Sequence, residues 1–395
     1  MSLDWNYYKL EELINLRTGK LDSNAEEANG NYPFFTCAPD PLKINSFSFD
    51  QKAILLAGNN ANGNFHINYY EGKFDAYQRT YVIDVLNKEK IDLKFLYYAM
   101  KICLKDLKRM SQGTSTRFLT KRILDNFEIQ VPNMETQYKI IKILDSLSEK
   151  ININQRINRN LFNIASSIQT EWMINFTPFK SEKFKTSSFG LIPENWNVGK
   201  LGDVIELLDS KRIPLSGQQR ENMEKIYPYY GAASLMDYVE DYIFDGVYLL
   251  MGEDGTVVDD KGFPILQYVW GKFWVNNHAH ILKGKNGFNV ESLYLLLSKT
   301  NIQSIVTGAV QAKVNQSNLK SIEIIIPPVD VMEKFNKLIK PFFDTIRSNN
   351  DEIKELQKLR DTLLPKLMSG EIDVSKINCD LLIKILEFLF FMIIN

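Results

Sequence analysis

The apolar positions along this chain change their period twice, each time at a proline. Before Pro132 they fall in short runs, at 53–57 and 80–85; before Pro327 they do so again, at 246–251 and 321–326. Runs of that length, bounded by Asn/Gly clusters at 58–64 and 252–255, predict strands joined by turns. Helical spacing over 93–110 and 290–298 adds short helices. Each stretch therefore reads as an α+β core of mixed α/β structure with polar loops projecting from it.

Beyond each proline the turn residues thin out and a heptad-like spacing takes over. Ile140, Leu144, Leu147, Ile151, Leu161, Ala165, Ile168 and Trp172 form one seam; Phe335, Ile339, Phe342, Ile346, Ile353, Leu356, Leu363 and Leu367 form the other. About 40 residues at 1.5 Å each make a helix of about 60 Å, longer than one small domain needs. The two helices are therefore expected to pack antiparallel on each other as a coiled coil, the alternative being that each covers only its own domain. Asn154 and Asn349 interrupt the seams at matching places, with Asn158 a second polar position in the first. A seam asparagine costs stability and fixes register, because pairing with another amide satisfies it most cheaply. Pro341 and Pro365 should kink or end the second helix locally, and Gly370 should stop it.

These matches belong to one repeat. Pro132 and Pro327, Asn154 and Asn349, and Met173 and Met368 are each 195 positions apart, with no gap from Gly113 and Gly308 onward. Upstream the register drifts, yet Trp5-Asn6 with Lys9-Leu10 returns as Trp196-Asn197 with Lys200-Leu201, and Gly72-Lys73-Phe74 as Gly271-Lys272-Phe273. A repeat of half the chain means two copies of one module, not a solenoid. The expected order is a first module over 1–132, a long helix over 133–176, a linker over 177–195, a second module over 196–327, a second helix over 328–372 and an apolar tail over 373–395. The tail's apolar stretch, 381–394, is broken by Lys384 and Glu387 and is shorter than the ~20 residues a membrane span requires. It reads as a helix docking on protein, with a membrane-surface anchor or an added extension as alternatives.

Composition changes this picture little. With 395 residues, 45% hydrophobic and 24% charged, each half can bury a core. A net charge of -1 excludes a uniformly basic surface but not local basic patches that could hold phosphates. Cys37, Cys103 and Cys379 are scattered, which indicates neither disulfides nor a zinc site; with no signal-like N-terminus, a cytoplasmic protein is expected.

The loops carry the candidate recognition chemistry. Gln112, Thr114, Thr116 and Arg117 surround the glycine turn at Gly113, with Lys121 following; Gln311 and Lys313 follow the equivalent Gly308. A glycine turn followed by amides, hydroxyls and a cation suits phosphate and base-edge contacts. Asn59, Asn60, Asn62, Asn64, Gln78 and Arg79 are further candidates in the first module, and Lys211, Arg212, Gln218, Gln219, Arg220, Asn276, Asn277 and His278 in the second. Any one of them alone could be an ordinary solvated loop side chain. No P-loop, dinucleotide fingerprint or adenine-methyltransferase tetrapeptide is present. His278 and His280 could face the same side of a strand, but without a neighbouring carboxylate pair in sequence they point away from a metal, and Asp259-Asp260-Lys261 lacks a strand context and a copy in the first module. No catalytic residue, metal or cofactor is expected in this chain.

These residues resemble a known family, the specificity subunit of type I restriction-modification systems (HsdS). The resemblance rests on the stretches 190–196 (GLIPENW) and 359–372 (LRDTLLPKLMSGEI) and on the strand-proline-helix junctions at 128–132 and 323–328. It spans about 4–374; the first module lacks the Gly-x-Ile-Pro lead-in, and the tail lies outside the pattern. It implies a non-catalytic reader in which two target recognition domains each read half of a bipartite sequence in duplex DNA and the helix pair sets the gap. It further implies partners: two methyltransferase subunits on the helices, bringing S-adenosylmethionine, with restriction subunits, magnesium and ATP also on the partner side and no membrane. A stand-alone metal-dependent nuclease and a coiled-coil scaffold without DNA affinity are the competing readings.

Overall fold

The computed structural model describes residues 5–308 and 310–374; the apolar tail and Cys379 lie outside the described residues. The chain divides into two compact units, 1–153 with 352–395, and 154–351, so the division runs through the middle of both long helices and not at their ends.

In unit 1, β1 (Asn6–Lys9) leads to β2 (Ile14–Thr18), β3 (Tyr32–Phe35), β4 (Leu42–Ile44), β5 (Phe49–Ala57), the two-residue β6 (Asn59–Asn60), β7 (Ile67–Ala76) and β8 (Thr80–Val85). Helices α1 (Leu93–Ile102) and α2 (Leu104–Met110), the short β9 (Arg117–Phe118), α3 (Lys121–Asp125) and β10 (Glu128–Val131) follow. Six strands form one sheet in the order β2-β8-β5-β7-β3-β4, with β3 parallel to β7; β1 pairs with β10, and β6 with β9. The run read at 53–57 is the buried end of β5, where Ala53 through Ala57 are all buried because both faces of the strand are covered. Asp92 caps α1 by accepting from the Lys94 amide, and α1 buries Phe95, Leu96 and Ala99 against the sheet.

In unit 2, the hairpin β11 (Phe184–Ser187) and β12 (Gly190–Pro193) has no counterpart among the described residues of unit 1. It delivers Trp196, almost fully buried, between Phe176 and Phe179 at 5.2 Å from each. Then come β13 (Asn197–Lys200), α5 (Leu201–Val204), β14 (Ile205–Leu207), α6 (Gly217–Glu221), β15 (Tyr227–Tyr230), β16 (Leu235–Val239), β17 (Phe244–Asp245), β18 (Tyr248–Gly252), β19 (Leu266–Val269), β20 (Lys272–Val275), β21 (Ala279–Gly284), α7 (Val290–Leu297), α8 (Gln316–Ser321) and β22 (Glu323–Ile326). Eight of these strands form two four-stranded sheets, β14-β21-β18-β19 and β16-β15-β20-β17, and β13 pairs with β22. The ladder that β5 and β7 make without a break in unit 1 is split here, Gly246 lying between β17 and β18 and Gly271 between β19 and β20; Gly72, the counterpart of Gly271, also has a positive φ (129°) but lies within the unbroken β7. Ser321, the first residue of the strand expected at 321–326, instead ends α8, which Asn315 caps by accepting from the Asn318 amide, and the strand begins at Glu323.

The two long helices are α4 (Met134–Met173) and α9 (Val329–Met368). In unit 1 the first part of α4 meets the last part of α9: Leu147 and Ile151 share a cluster with Ile353 and Leu356, and Lys150 faces Glu352 at 3.5 Å. In unit 2, Phe162 meets Phe343 and Trp172 meets Phe335, numbers rising along α4 as they fall along α9. The pair is thus an antiparallel coiled coil. Two details depart from the sequence reading. The second seam keeps Leu363, which packs on the cluster of Leu147, Ile151, Ile353 and Leu356, but in unit 2 it buries Phe343 where Phe342 was expected, and Phe342 is only half-buried. A straight helix turns every 3.6 residues and drifts against a 3.5 repeat, and in unit 2 α9 also covers its own module, which widens its apolar face. Nor do Pro341 and Pro365 end α9, because both rings lie on its exposed face, where the carbonyls they free can meet water. The interhelical amide pair is Asn349 Nδ2 to Asn158 Oδ1, at 2.8 Å, while Asn154 is buried. Among the described residues no helix is long and apolar enough to cross a membrane.

Candidate nucleic-acid interface

One hairpin is built identically in both units. In unit 1 the amides and carbonyls of Gln112 and Phe118 exchange bonds at 3.0 and 2.7 Å; in unit 2 Thr307 and Lys313 do so at 2.8 and 2.7 Å. Each loop turns on a glycine with positive φ, Gly113 at 102° and Gly308 at 93°. A Cβ on either would lie 2.1 Å from a loop carbonyl, of Thr116 or Gln311, so only glycine fits.

In unit 1 this hairpin is stitched to two further loops. Asn59 and Asn60 pair with Phe118 and Arg117 as β6 on β9; the Gly58 amide donates to the Arg79 carbonyl (2.8 Å), and the Leu119 amide to that of Gly58 (2.9 Å). The Tyr81 hydroxyl donates to the Leu119 carbonyl at 2.7 Å. The three loops surround a concavity of about 520 Å³ lined by Gln78, Arg79, Gln112, Thr120 and Lys121, with Phe118 in its wall. Four of the candidates read from sequence thus converge: Gln78, Arg79, Gln112 and Lys121. Gln78 is bonded to Asp22 (2.6 Å) and Lys121 to Asp125 (2.7 Å), whereas the Arg79 guanidinium lies 5.6 Å from the Phe118 ring centre. Asn60 is taken up by its own turn, accepting from the amides of Asn62 and Asn64, and Asn64 accepts from Lys108. Asn59 accepts from the Cys37 thiol; Thr114 is exposed, and Arg117 donates back to the Gly113 carbonyl beside the half-buried Thr116.

Unit 2 repeats the scaffold with different side chains. The Glu253 amide donates to the His278 carbonyl and the Val314 amide to that of Glu253, which makes Glu253 the counterpart of Gly58, His278 of Arg79 and Asn277 of Gln78. His280 then stands where Tyr81 stands, and its Nε2 bonds the Val314 carbonyl at 2.7 Å as Tyr81 bonds Leu119. Its Nδ1 bonds Asp209 at 2.6 Å. Asp209 also accepts from the Ile281 amide (2.9 Å) and from Gln316 (2.6 Å). Burial would raise the Asp209 carboxyl, but bonding to His280 and Ile281, together with the charge of Arg212, outweighs it and holds the group below the usual carboxylate range.

This cluster corrects the view that His280 has no carboxylates near it: Asp209 and Glu253 both bring an oxygen close enough to share a cation with its ring. Tertiary folding places them there from 71 and 27 positions away in the chain. The donor set nevertheless suits structure better than metal binding, since both ring nitrogens of His280 already meet protein oxygens. Asp259 is likewise occupied, accepting from the amides of Lys261 and Phe263 in a turn.

The remaining candidates divide sharply. Arg212 donates to Glu253 (2.6 Å) and to the Ala279 carbonyl (2.7 Å) and is spent inside the cluster. Arg220 pairs with Asp237 (2.8 Å) over the Tyr229 ring; the Tyr238 amide and then Lys225 hold that carboxyl low. Gln219 closes the Ser216 cap of α6, and Asn276 is buried, accepting from the His278 amide. His278 Nδ1 bonds Asp254, the counterpart of Asn59. Lys211, Gln218, Asn277, Gln311 and Lys313 remain exposed at the surface. The two hairpin cations are not equivalent, since Lys313 takes the place of Phe118 and Ala312 that of Arg117; neighbouring side chains on extended backbone point to opposite faces. Sequence reading missed Asp209, Glu253, Asp254 and Gln316. Continuing the 195-residue register upstream of Gly113 pairs Gly58 with Glu253 and Asn59 with Asp254, and the same register downstream pairs Lys121 with Gln316, which would have exposed the last three.

The model of the type I restriction modification DNA specificity domain matches residues 2–162 and 193–358. The chain belongs to this family. Specificity subunits with whole-length similarity include that of the type I restriction enzyme EcoDI from Escherichia coli, 28% identical over 94% of this chain and 89% of the relative. That of MjaIX from Methanocaldococcus jannaschii is 27% identical over 74% and 72%. The crystal structure of the type I S subunit from M. genitalium shares the fold, with a TM-score of 0.56 at 17% identity over 93% of this chain and 96% of that one. In this specificity-subunit family the doubled hairpin of the present chain stands on a scaffold common to both of its modules.

Proposed function

We propose that this chain is the non-catalytic reader of a type I restriction-modification complex, recognising a bipartite sequence in double-stranded DNA with one module on each half. The observation that carries this reading is the repeated glycine hairpin, which in both units presents polar loop side chains at one edge of the scaffold while the side chains differ. A common frame with different chemistry is what reading two different half-sites requires. The helix pair sets the number of unread base pairs between the halves, and its amide pair between Asn158 and Asn349, with the buried Asn154, holds the register.

Two methyltransferase subunits dock on the helices, with restriction subunits joining them. Tyr138, Ile153, Ile157 and Ile164 support this, being exposed apolar side chains on α4. S-adenosylmethionine, magnesium and ATP belong to those subunits, and the complex works in the cytoplasm. A stand-alone nuclease finds no support in the Asp209, Glu253 and His280 cluster, whose imidazole is fully engaged.

The test is co-expression with the methyltransferase subunit and mapping of N6-methyladenine across host DNA. A bipartite motif with a fixed gap, lost when this chain is left out, is the expected result. A stable complex whose DNA affinity does not fall with salt would overturn the reading in favour of a scaffold.

A further inference from the structure

Among the candidate recognition residues, Arg79 combines properties that the others lack. Its backbone is fixed: its carbonyl accepts from the Gly58 amide at 2.8 Å, and Gly58 approaches so closely that a Cβ there would lie 2.4 Å from that oxygen. The residues on both sides are held as well, Gln78 by its amide to the Leu21 carbonyl and Thr80 by burial. Its guanidinium lies over the Phe118 ring, and among the described residues no carboxylate pairs with it. It stands at the mouth of the unit 1 concavity beside Gln78 and Gln112. By contrast Arg212 and Arg220 are neutralised by carboxylates, and Arg117 is turned back on its own loop.

A stacked, planar guanidinium without an acidic partner is a pre-organised pair of parallel donors. In the major groove the matching pair of acceptors is O6 and N7 of guanine, which no other base presents. The histidine in the equivalent place of unit 2 is tied to Asp254 and cannot make that fork. We infer that Arg79 reads a guanine in the half-site of the first module and that the second module has no equivalent guanine reader at this position. The inference rests on the two-module reading proposed above.

The experiment uses the full chain assembled with its methyltransferase subunits. R79H takes the side chain found at the equivalent position of unit 2, and R79K keeps the charge while losing the fork. With the wild-type chain, methylation mapping should show a G·C pair in each of the sequences read by the first module. In both variants discrimination at that one pair should fall by about 10- to 100-fold, with the other half and the gap unchanged. Binding offers a second readout: replacing that guanine by 7-deazaguanine, which lacks N7, should weaken the wild-type complex and leave R79K and R79H almost unaffected. An unchanged motif in both variants, or a wild-type complex indifferent to 7-deazaguanine at every guanine of the half-site, overturns the assignment while the two-module reading stands. A wild-type motif without two halves overturns both.

Discussion

The interchange of Tyr81 and His280 on one scaffold gives a sharp test of what holds the hairpins in place. Tyr81→Phe removes a single donor to the Leu119 carbonyl, at 2.7 Å and partly buried, which should cost about 1–1.5 kcal/mol. His280→Phe does more. His280 is fully buried, so the change strands the Val314 carbonyl and also takes a hydrogen bond from Asp209, a carboxylate with only 3% of its side chain exposed. Breaking one partner of a buried ionic network costs about 3–5 kcal/mol, because the other charge remains. With a urea dependence of about 2–3 kcal/mol/M the midpoint of unit 2 should fall by more than about 1 M, against about half that for Tyr81→Phe in unit 1. Hydrogen exchange assigns the loss locally: the Thr307 and Lys313 amides should lose protection in His280→Phe, and those of Gln112 and Phe118 only slightly in Tyr81→Phe. The pH dependence has a fixed sign. A carboxyl held low in the folded state stabilises above its unfolded value of about 3.9 and ceases to do so as pH falls through the folded value. The deficit of His280→Phe should therefore be full above about pH 4 and shrink below it. A His280→Phe chain no less stable than Tyr81→Phe would refute the argument, since Asp209 would then have found water or another donor.

Other expectations follow from the same structure. Replacing Asn158 and Asn349 together with leucine should raise the melting temperature while the mapped gap between half-sites becomes heterogeneous; an unchanged gap would mean that this amide pair does not set register. Gly113→Ala should abolish selectivity at one half-site and Gly308→Ala at the other, each with a local cost of about 1–3 kcal/mol, and equal loss at both halves from either change would contradict modular reading. Trp196→Ala should cost about 3–5 kcal/mol, measured by urea unfolding, because its pocket between Phe176 and Phe179 cannot close.

The sequence by itself determined the duplication, the two long helices and the places where strand spacing gives way to helix spacing. Those features are written in local periodicity: a proline at each junction and an apolar residue every three to four positions suffice to specify them. It also marked Gly113 and Gly308, whose positive φ is a demand of the turn and not of distant contacts. What it could not supply was anything that depends on strands meeting across the chain. The shift of the seam from Phe342 to Phe343 reflects a helix covering two surfaces at once. Whether an arginine is available or spent was decided by tertiary partners: Arg212 and Arg220 are paired with Glu253 and Asp237, brought up from elsewhere in the chain, while Arg79 is left over an aromatic ring. The equivalence of Tyr81 with His280 is invisible in residue type, because a phenol and an imidazole share only the ability to donate to one carbonyl. Sequence spacing fixes which backbone segments recur, but the partners of a charged side chain are chosen by the fold, where a carboxylate 41 positions away can lie at hydrogen-bond distance.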